Sequence, residues 1–297
     1  MRILVLRGGA LGDFLVTLPA LGLLRARWPD ARIDLVGNVR VADLGVRGGY
    51  LDAVHSQDQA RWSALFSAAS LPPDLTAWLA EFDLILNYWP DPDRALARRF
   101  PVRPGQTWLS AAAQPELAPA ARHFCEPLRA LGLSTTDFRS RLRLPTGMDT
   151  GPATLGFRLP IAIHPGSGSP RKNWPAPRWL ELLNRLDQPV LLILGEAELA
   201  GWSALTTTRL ARVGRELRLA CNLPLPELAA ALARSRLFLG HDSGVSHLAA
   251  AVGAPCVLLF GPSDPAMWAP PGDHVRVLRR GAALDAISVD EVLTLAS

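Results

Sequence analysis

Three loops of this chain carry side chains suited to holding an anion. The first, HPGSGSPRKNWP (164–175), contains Lys172, the single lysine in a sequence with thirty arginines. An ammonium is a compact point charge suited to phosphate, whereas a guanidinium is a wide planar fork. Gly166, Ser167 and Gly168 supply exposed backbone N–H groups of the kind that cradle oxyanions. The second loop is HDSG (241–244), where Asp242 or Ser243 can cap a helix with Val245, Leu248, Ala249 and Val252 on its apolar face. Gly244 lets a ligand approach the backbone, and the first-turn N–H groups with the positive dipole end favour negative charge. His247, one turn further, fits either such a site or the core. The third loop holds Glu196 and Glu198.

A fourth segment, RGGALGDFLVTLPAL (7–21), offers a base. Gly8, Gly9 and Gly12 permit a tight strand-to-helix turn, and Asp13 stands at the helix start as a cap or as a general base. A nicotinamide fingerprint fits poorly here, because Arg7 occupies its first glycine position. Asp91-Pro92-Asp93 has the spacing of a metal-binding pair, but at a proline-rich turn into an arginine-rich helix it is expected to cap. Trp174, Trp179 and Trp202 are candidates for core or cleft wall, and Trp268 for ring stacking.

The elements that must position these groups alternate. RILVL (2–6), RIDLVG (32–37) and LILN (84–87) read as strands, as do IAIH (161–164), VLLILG (190–195), RLFLG (236–240) and CVLLF (256–260). Segments 177–186, 197–211, 225–234 and 287–296 read as helices. Near-continuous apolar strands separated by helices predict parallel sheets covered on both faces. The pattern restarts at Ile161 after a Pro/Gly/Thr-rich stretch, 145–156, read as a linker. Two Rossmann-like domains, 1–150 and 151–297, with parallel sheets facing across a cleft are therefore expected. In such sheets ligands bind beyond the carboxyl ends of the strands, where all the loops above fall.

Composition narrows the classes. Hydrophobic content of 49% and charged content of 20% describe a well-cored globular chain. A net charge of +4 and a pI near 9.5 favour anionic substrates or an anionic membrane face. No polybasic tract points to nucleic acid; Arg94, Arg98, Arg99 and Arg103 form the best basic patch, a solvated helix face or a contact for phosphorylated lipid. Cys125, Cys221 and Cys256 lie far apart without a CxxC pair, against a disulfide framework or zinc site and for a reducing compartment. Arg7 and Asp13 interrupt the apolar N-terminus, against a signal peptide, and no apolar stretch reaches membrane-spanning length. A cytoplasmic protein is expected, with peripheral contact at the inner membrane face as a further expectation.

RGGALGD followed by TLPAL, then HPGSGSPRKNWP, then HDSGVSHLAAAVGAPCVLLFGPSDP (241–265), resembles the ADP-heptose:lipopolysaccharide heptosyltransferases of glycosyltransferase family 9. The resemblance covers almost the whole chain. It implies a GT-B fold, an acceptor glycan or lipid-linked acceptor held by the N-terminal domain, and a nucleotide-sugar donor held by the C-terminal one. Inverting transfer without metal or cofactor is also implied. By position, Asp13 matches the proposed base, Lys172 the phosphate-contacting lysine and Asp242 the acid near the donor sugar. Ser243 and Gly244 match the phosphate-binding turn, and His247 the motif histidine. Glu196 and Glu198 compete for a ribose-facing role. The sequence departs from the family in the middle of the N-terminal domain, and in GPSDPAMWAP, where Ala266-Met267-Trp268 stands in place of a basic residue. The alternatives are a nucleotide-sugar epimerase, a GT-B transferase of other donor specificity, and a non-catalytic nucleotide-sugar-binding protein.

Overall fold

The computed structural model describes residues 1–67, 70–144, 160–199, 202 and 216–296. The chain divides into two compact units, Met1–Phe138 and Arg139–Ser297. The position expected for the boundary, 150/151, and the expected linker 145–156 lie outside the described residues, as does most of the expected helix 197–211.

The first unit is built on a parallel sheet of five strands: β1 (Arg2–Arg7), β2 (Arg32–Gly37), β3 (Ala53–Ser56), β4 (Leu84–Asn87) and β5 (Thr107–Ser110). Their order is β3-β2-β1-β4-β5. Ile3 to Leu6 and Leu84 to Leu86 are wholly or almost wholly buried, because helices cover both faces of the sheet. Helices Leu18–Arg27, Val39–Arg47 and Pro73–Ala80 supply that cover.

The second unit carries six parallel strands: β6 (Ile161–Ile163), β7 (Val190–Leu194), β8 (Leu217–Cys221), β9 (Leu237–His241), β10 (Cys256–Phe260) and β11 (Val275–Arg279). Their order is β11-β10-β9-β6-β7-β8. Helix Ala176–Arg185 buries Trp179, Leu180, Leu182 and Leu183 against this sheet, the i, i+1, i+3, i+4 stripe of an amphipathic helix. Trp174 and Trp179 meet edge to face with centroids 5.0 Å apart, so these two rings and buried Trp202 are core, not cleft wall. Neighbouring β6 and β9 run in parallel, so the loops leaving their carboxyl ends emerge together. That edge places 164–174 beside 241–244.

Candidate active site

On the first unit, β1 ends at Arg7 and the chain turns into the short helix Leu11–Leu15. Gly9 takes φ +101°, and a Cβ there would stand 2.5 Å from Asp13 Oδ2, so only glycine fits the turn. Asp13 Oδ2 accepts the Ala10 N–H at 2.8 Å, which makes it a cap of its own helix. Its side chain is nonetheless 40% exposed and free to meet a substrate proton. Arg7 is almost buried, donates to the Asp13 carbonyl at 2.9 and 3.0 Å, and lies 3.4 Å from Asp13 Oδ1. Its guanidinium sits 4.4 Å over the Phe124 ring. Burial lowers the Arg7 pKa, and Asp13 opposes that shift. The cap thus leaves the other carboxylate oxygen of Asp13 beside Arg7 and the side chain partly exposed.

On the second unit, Lys172 Nζ is 2.6 Å from Asp242 Oδ2, with the lysine about a third exposed and the aspartate nearly buried. The turn Pro170–Lys172 and the end of β9 bring this pair together. Ser243 is the N-cap of helix Gly244–Ala251, and its Oγ accepts from Ser246 N at 3.3 Å. The first N–H groups of such a helix have no intrahelical partner, and this helix start follows directly on Asp242, which holds the ammonium. Ser167 Oγ lies 2.7 Å from both Ser169 O and Asn173 Oδ1, which fixes the loop around Gly168. His247 is buried, and its N–H donates to Ser243 O at 3.2 Å.

The two glutamates separate. Glu196 is exposed, while Glu198 is nearly buried and turns its carboxylate back onto Gly195 N at 2.9 Å. Its Oε2 is 3.8 Å from His164 Nε2, and a Cβ on Gly166 would strike its Oε1 at 1.9 Å. The His164 imidazole holds the Glu198 carboxyl below the usual carboxylate range against the opposing effect of burial, and the Gly195 N–H assists. Glu198 is therefore the carboxylate that faces the 164–172 loop.

Sequence reasoning missed His164 and His241. His241 Nε2 accepts the Trp174 N–H at 2.8 Å, and Nδ1 lies 3.4 Å from Gly166 O. The ring is completely buried, and burial pushes its pKa down to about 3, so it is the neutral Nδ1–H tautomer. It staples both ends of the glycine loop to β9. The available signal was a histidine closing each of two apolar strands.

Other expected sites are structural. Asp91 accepts from Leu96 N and Ala97 N at 2.8 and 2.9 Å, and Asp93 from Ala95 N at 3.4 Å, so both cap. Among the described residues no group of three or more His, Cys, Asp or Glu side chains could hold a metal ion. Arg103 is engaged by Asp83 at 2.7 Å and by Ala80 O, and Arg98 donates to Asp93 O.

Residues 141–290, just over half of the chain, match the family model of glycosyltransferase family 9 (heptosyltransferase). Lipopolysaccharide heptosyltransferase 1 of Salmonella typhimurium is 23% identical over 292 residues, covering 90% of this chain and 90% of that protein. A glycosyltransferase family 9 protein of Veillonella parvula superposes with a TM-score of 0.79 at 22% identity, over 99% of this chain and 95% of that one. The ADP-heptose lipopolysaccharide heptosyltransferase II of Escherichia coli does so with a TM-score of 0.79 at 20% identity, over 99% and 97%. These likenesses show the fold: the two parallel-sheet units are those of the GT-B class.

Proposed function

Because this chain belongs to glycosyltransferase family 9, the heptosyltransferases, and is a glycosyltransferase, we propose that it moves heptose from an ADP-linked donor to a lipopolysaccharide-core acceptor. Transfer proceeds with inversion and without metal or cofactor. The observation that carries the donor half is Lys172 held 2.6 Å from Asp242 at the start of helix Gly244–Ala251. The E. coli relative named for ADP-heptose supports the choice of donor.

The chemistry follows from the groups present. Asp13 takes the proton of an acceptor hydroxyl. The freed oxygen attacks the anomeric carbon, and the bond to the diphosphate breaks with its electron pair leaving on phosphate oxygen. The ammonium of Lys172 and the first-turn N–H groups at Ser243–Gly244 are fixed dipoles and charge aimed at that developing negative charge. Asp242 orients Lys172 and borders the donor sugar, and Glu198, not Glu196, serves the ribose. Ser167 and Gly168 shape the phosphate loop, and His247 supports the helix start from beneath.

Among the described residues no helix is long and apolar enough to cross a membrane. We place the protein at the cytoplasmic face of the inner membrane, in peripheral contact with its lipid-linked acceptor; release from membranes by high salt checks that contact. A melting-shift screen across ADP-, GDP- and UDP-sugars tests the donor. Stabilisation by ADP-heptose above the others is expected, and preference for a UDP- or GDP-sugar would overturn the reading.

A further inference from the structure

Helix Ala120–Cys125 has two different faces. Phe124 lies under the Arg7 guanidinium, 4.4 Å away, and His123 Nε2 is 2.9 Å from Ala112 O, so these side chains pack inward on the first unit. Arg122, Cys125, Glu126 and Arg129, at i, i+3, i+4 and i+7, form a separate stripe that continues through the 3-10 turn Glu126–Leu131. Gly132 ends that turn at φ +73°, a left-handed value that glycine adopts without strain. The chain then returns along the stripe. Ser134, Thr136 and Phe138 share with Arg122 and Arg129 the walls of a cavity of about 250 Å³.

This cavity holds polar groups that the fold does not use. Thr135 Oγ1 accepts the Asp137 N–H at 3.0 Å and donates to Asp137 O at 3.2 Å, which fixes the returning loop. The Ser134 and Thr136 hydroxyls and the Arg122 guanidinium have no partner among the described residues. Arg129 meets Glu126 Oε1 at 3.5 Å, with the two side chains 65% and 42% exposed, a surface pair that rearranges at little cost. Burial pushes the Cys125 thiol up to about 12, so it stays neutral. Two guanidinium groups therefore face one carboxylate, with hydroxyls and the apolar surface of Cys125 and Phe138 in the same cavity.

The two guanidinium groups disfavour a cation. An apolar molecule would leave the Arg122 fork and two hydroxyls desolvated and unpaired. A phosphate group has oxygens enough for both, two for a guanidinium fork and the rest for hydroxyl donors. A bare phosphate would leave the Phe138 ring unmatched. The volume lies just below the ~300 Å³ at which pockets for drug-sized ligands begin, so the occupant is small. We propose that this cavity is a binding site for a phosphomonoester, with Arg122 and Arg129 on the phosphate, Ser134 and Thr136 donating to it, and Phe138 against the carbon skeleton. None of these residues serves the donor or the base in the reaction above, so this site and that reading stand or fall separately.

The test uses the full chain with glucose 6-phosphate as probe. The Arg122 side-chain Nε–H resonance, identified by its loss in Arg122→Gln, should shift saturably with glucose 6-phosphate. It should stay in place with glucose, and with chloride at equal ionic strength. Arg129→Gln should raise the Kd read from that shift about tenfold, and Thr136→Ala severalfold. Lys172→Ala should leave this Kd unchanged. Both Arg129 and Thr136 are exposed, so melting temperatures at the wild-type value should accompany the weaker binding. Phosphatidylcholine vesicles carrying phosphatidic acid offer the same group on a membrane. A response to glucose 6-phosphate supports a free ester as the ligand, and a response to the vesicles alone supports a lipid headgroup. A resonance that moves with neither, or equally with chloride or glucose, would overturn the site. So would a wild-type Kd in both Arg129→Gln and Thr136→Ala, or a Kd raised by Lys172→Ala, which would move the phosphate to the 164–172 loop.

Discussion

Lys172 Nζ and Asp242 Oδ2 are 2.6 Å apart, and the carboxylate that holds the ammonium is the residue just before the helix cap Ser243. A point charge is thereby fixed on the residue that leads into a helix start. Lys172→Ala should weaken ADP binding by one to two decades, the worth of a charge-assisted contact at about 1.5–3 kcal/mol. Lys172→Arg should also be impaired, because a planar fork replaces a point charge held against Asp242. Calorimetric titration of ADP into both variants checks this. Wild-type affinity in Lys172→Arg would make the single lysine an accident of composition.

Asp13→Asn keeps an oxygen for the Ala10 N–H, so the helix start should survive. Melting temperature and ADP affinity are expected to stay at wild type while turnover falls about 10²-fold or more. Turnover at the wild-type rate would leave Asp13 a cap and nothing else.

Two glycines of one loop should respond differently. A Cβ at Gly166 would collide with the Glu198 carboxylate, whereas nothing lies within 4 Å of a Cβ at Gly168. Gly166→Ala should lose about 1–3 kcal/mol, as overpacked sites do. Gly168→Ala should stay within about 0.5 kcal/mol. Urea unfolding of both variants reads the difference, and equal stabilities would contradict the packing described.

His241 gives an acid limb. Its pKa falls from 6.5 to about 3 on folding, through burial, so below pH 6.5 the unfolded chain takes up a proton that the folded ring refuses. Stability should fall as pH drops from 6.5 towards 3. Glu198, held below its ordinary 4.5, adds its own loss only at the lower end. The window from 6.5 to 4.5 isolates the histidine, and His241→Gln should flatten the melting-temperature slope there. An unchanged slope would show that the ring is not buried neutral.

Most of the sheet was legible because interior strands here are covered on both faces and so read as unbroken apolar runs. The four strands not foreseen, β3, β5, β8 and β11, are the four sheet edges. Their residues are half-exposed and mixed in type, as in VRVLR of β11, and the pattern dissolves into its surroundings. Lys172, Asp242 and Ser243 were legible from local chemistry: an isolated charge, a cap and glycines. The roles of His164 and His241 were not, because their partners are a carboxylate after another strand and backbone atoms of a distant loop. What sequence could not show is the difference in setting between Glu196, which is exposed, and Glu198, whose carboxylate returns to the Gly195 N–H.

Incubating the protein with ADP-heptose and deacylated lipopolysaccharide core in the presence of EDTA, while following ADP release and acceptor mass, measures the central claim directly. The expected result is ADP formation matched by an acceptor heavier by one heptosyl unit, undiminished by EDTA and about 10²-fold or more slower in Asp13→Asn. An acceptor of unchanged mass would contradict heptosyl transfer. Activity abolished by EDTA and restored by magnesium or manganese would contradict the account in which Lys172 and the helix start carry the leaving diphosphate.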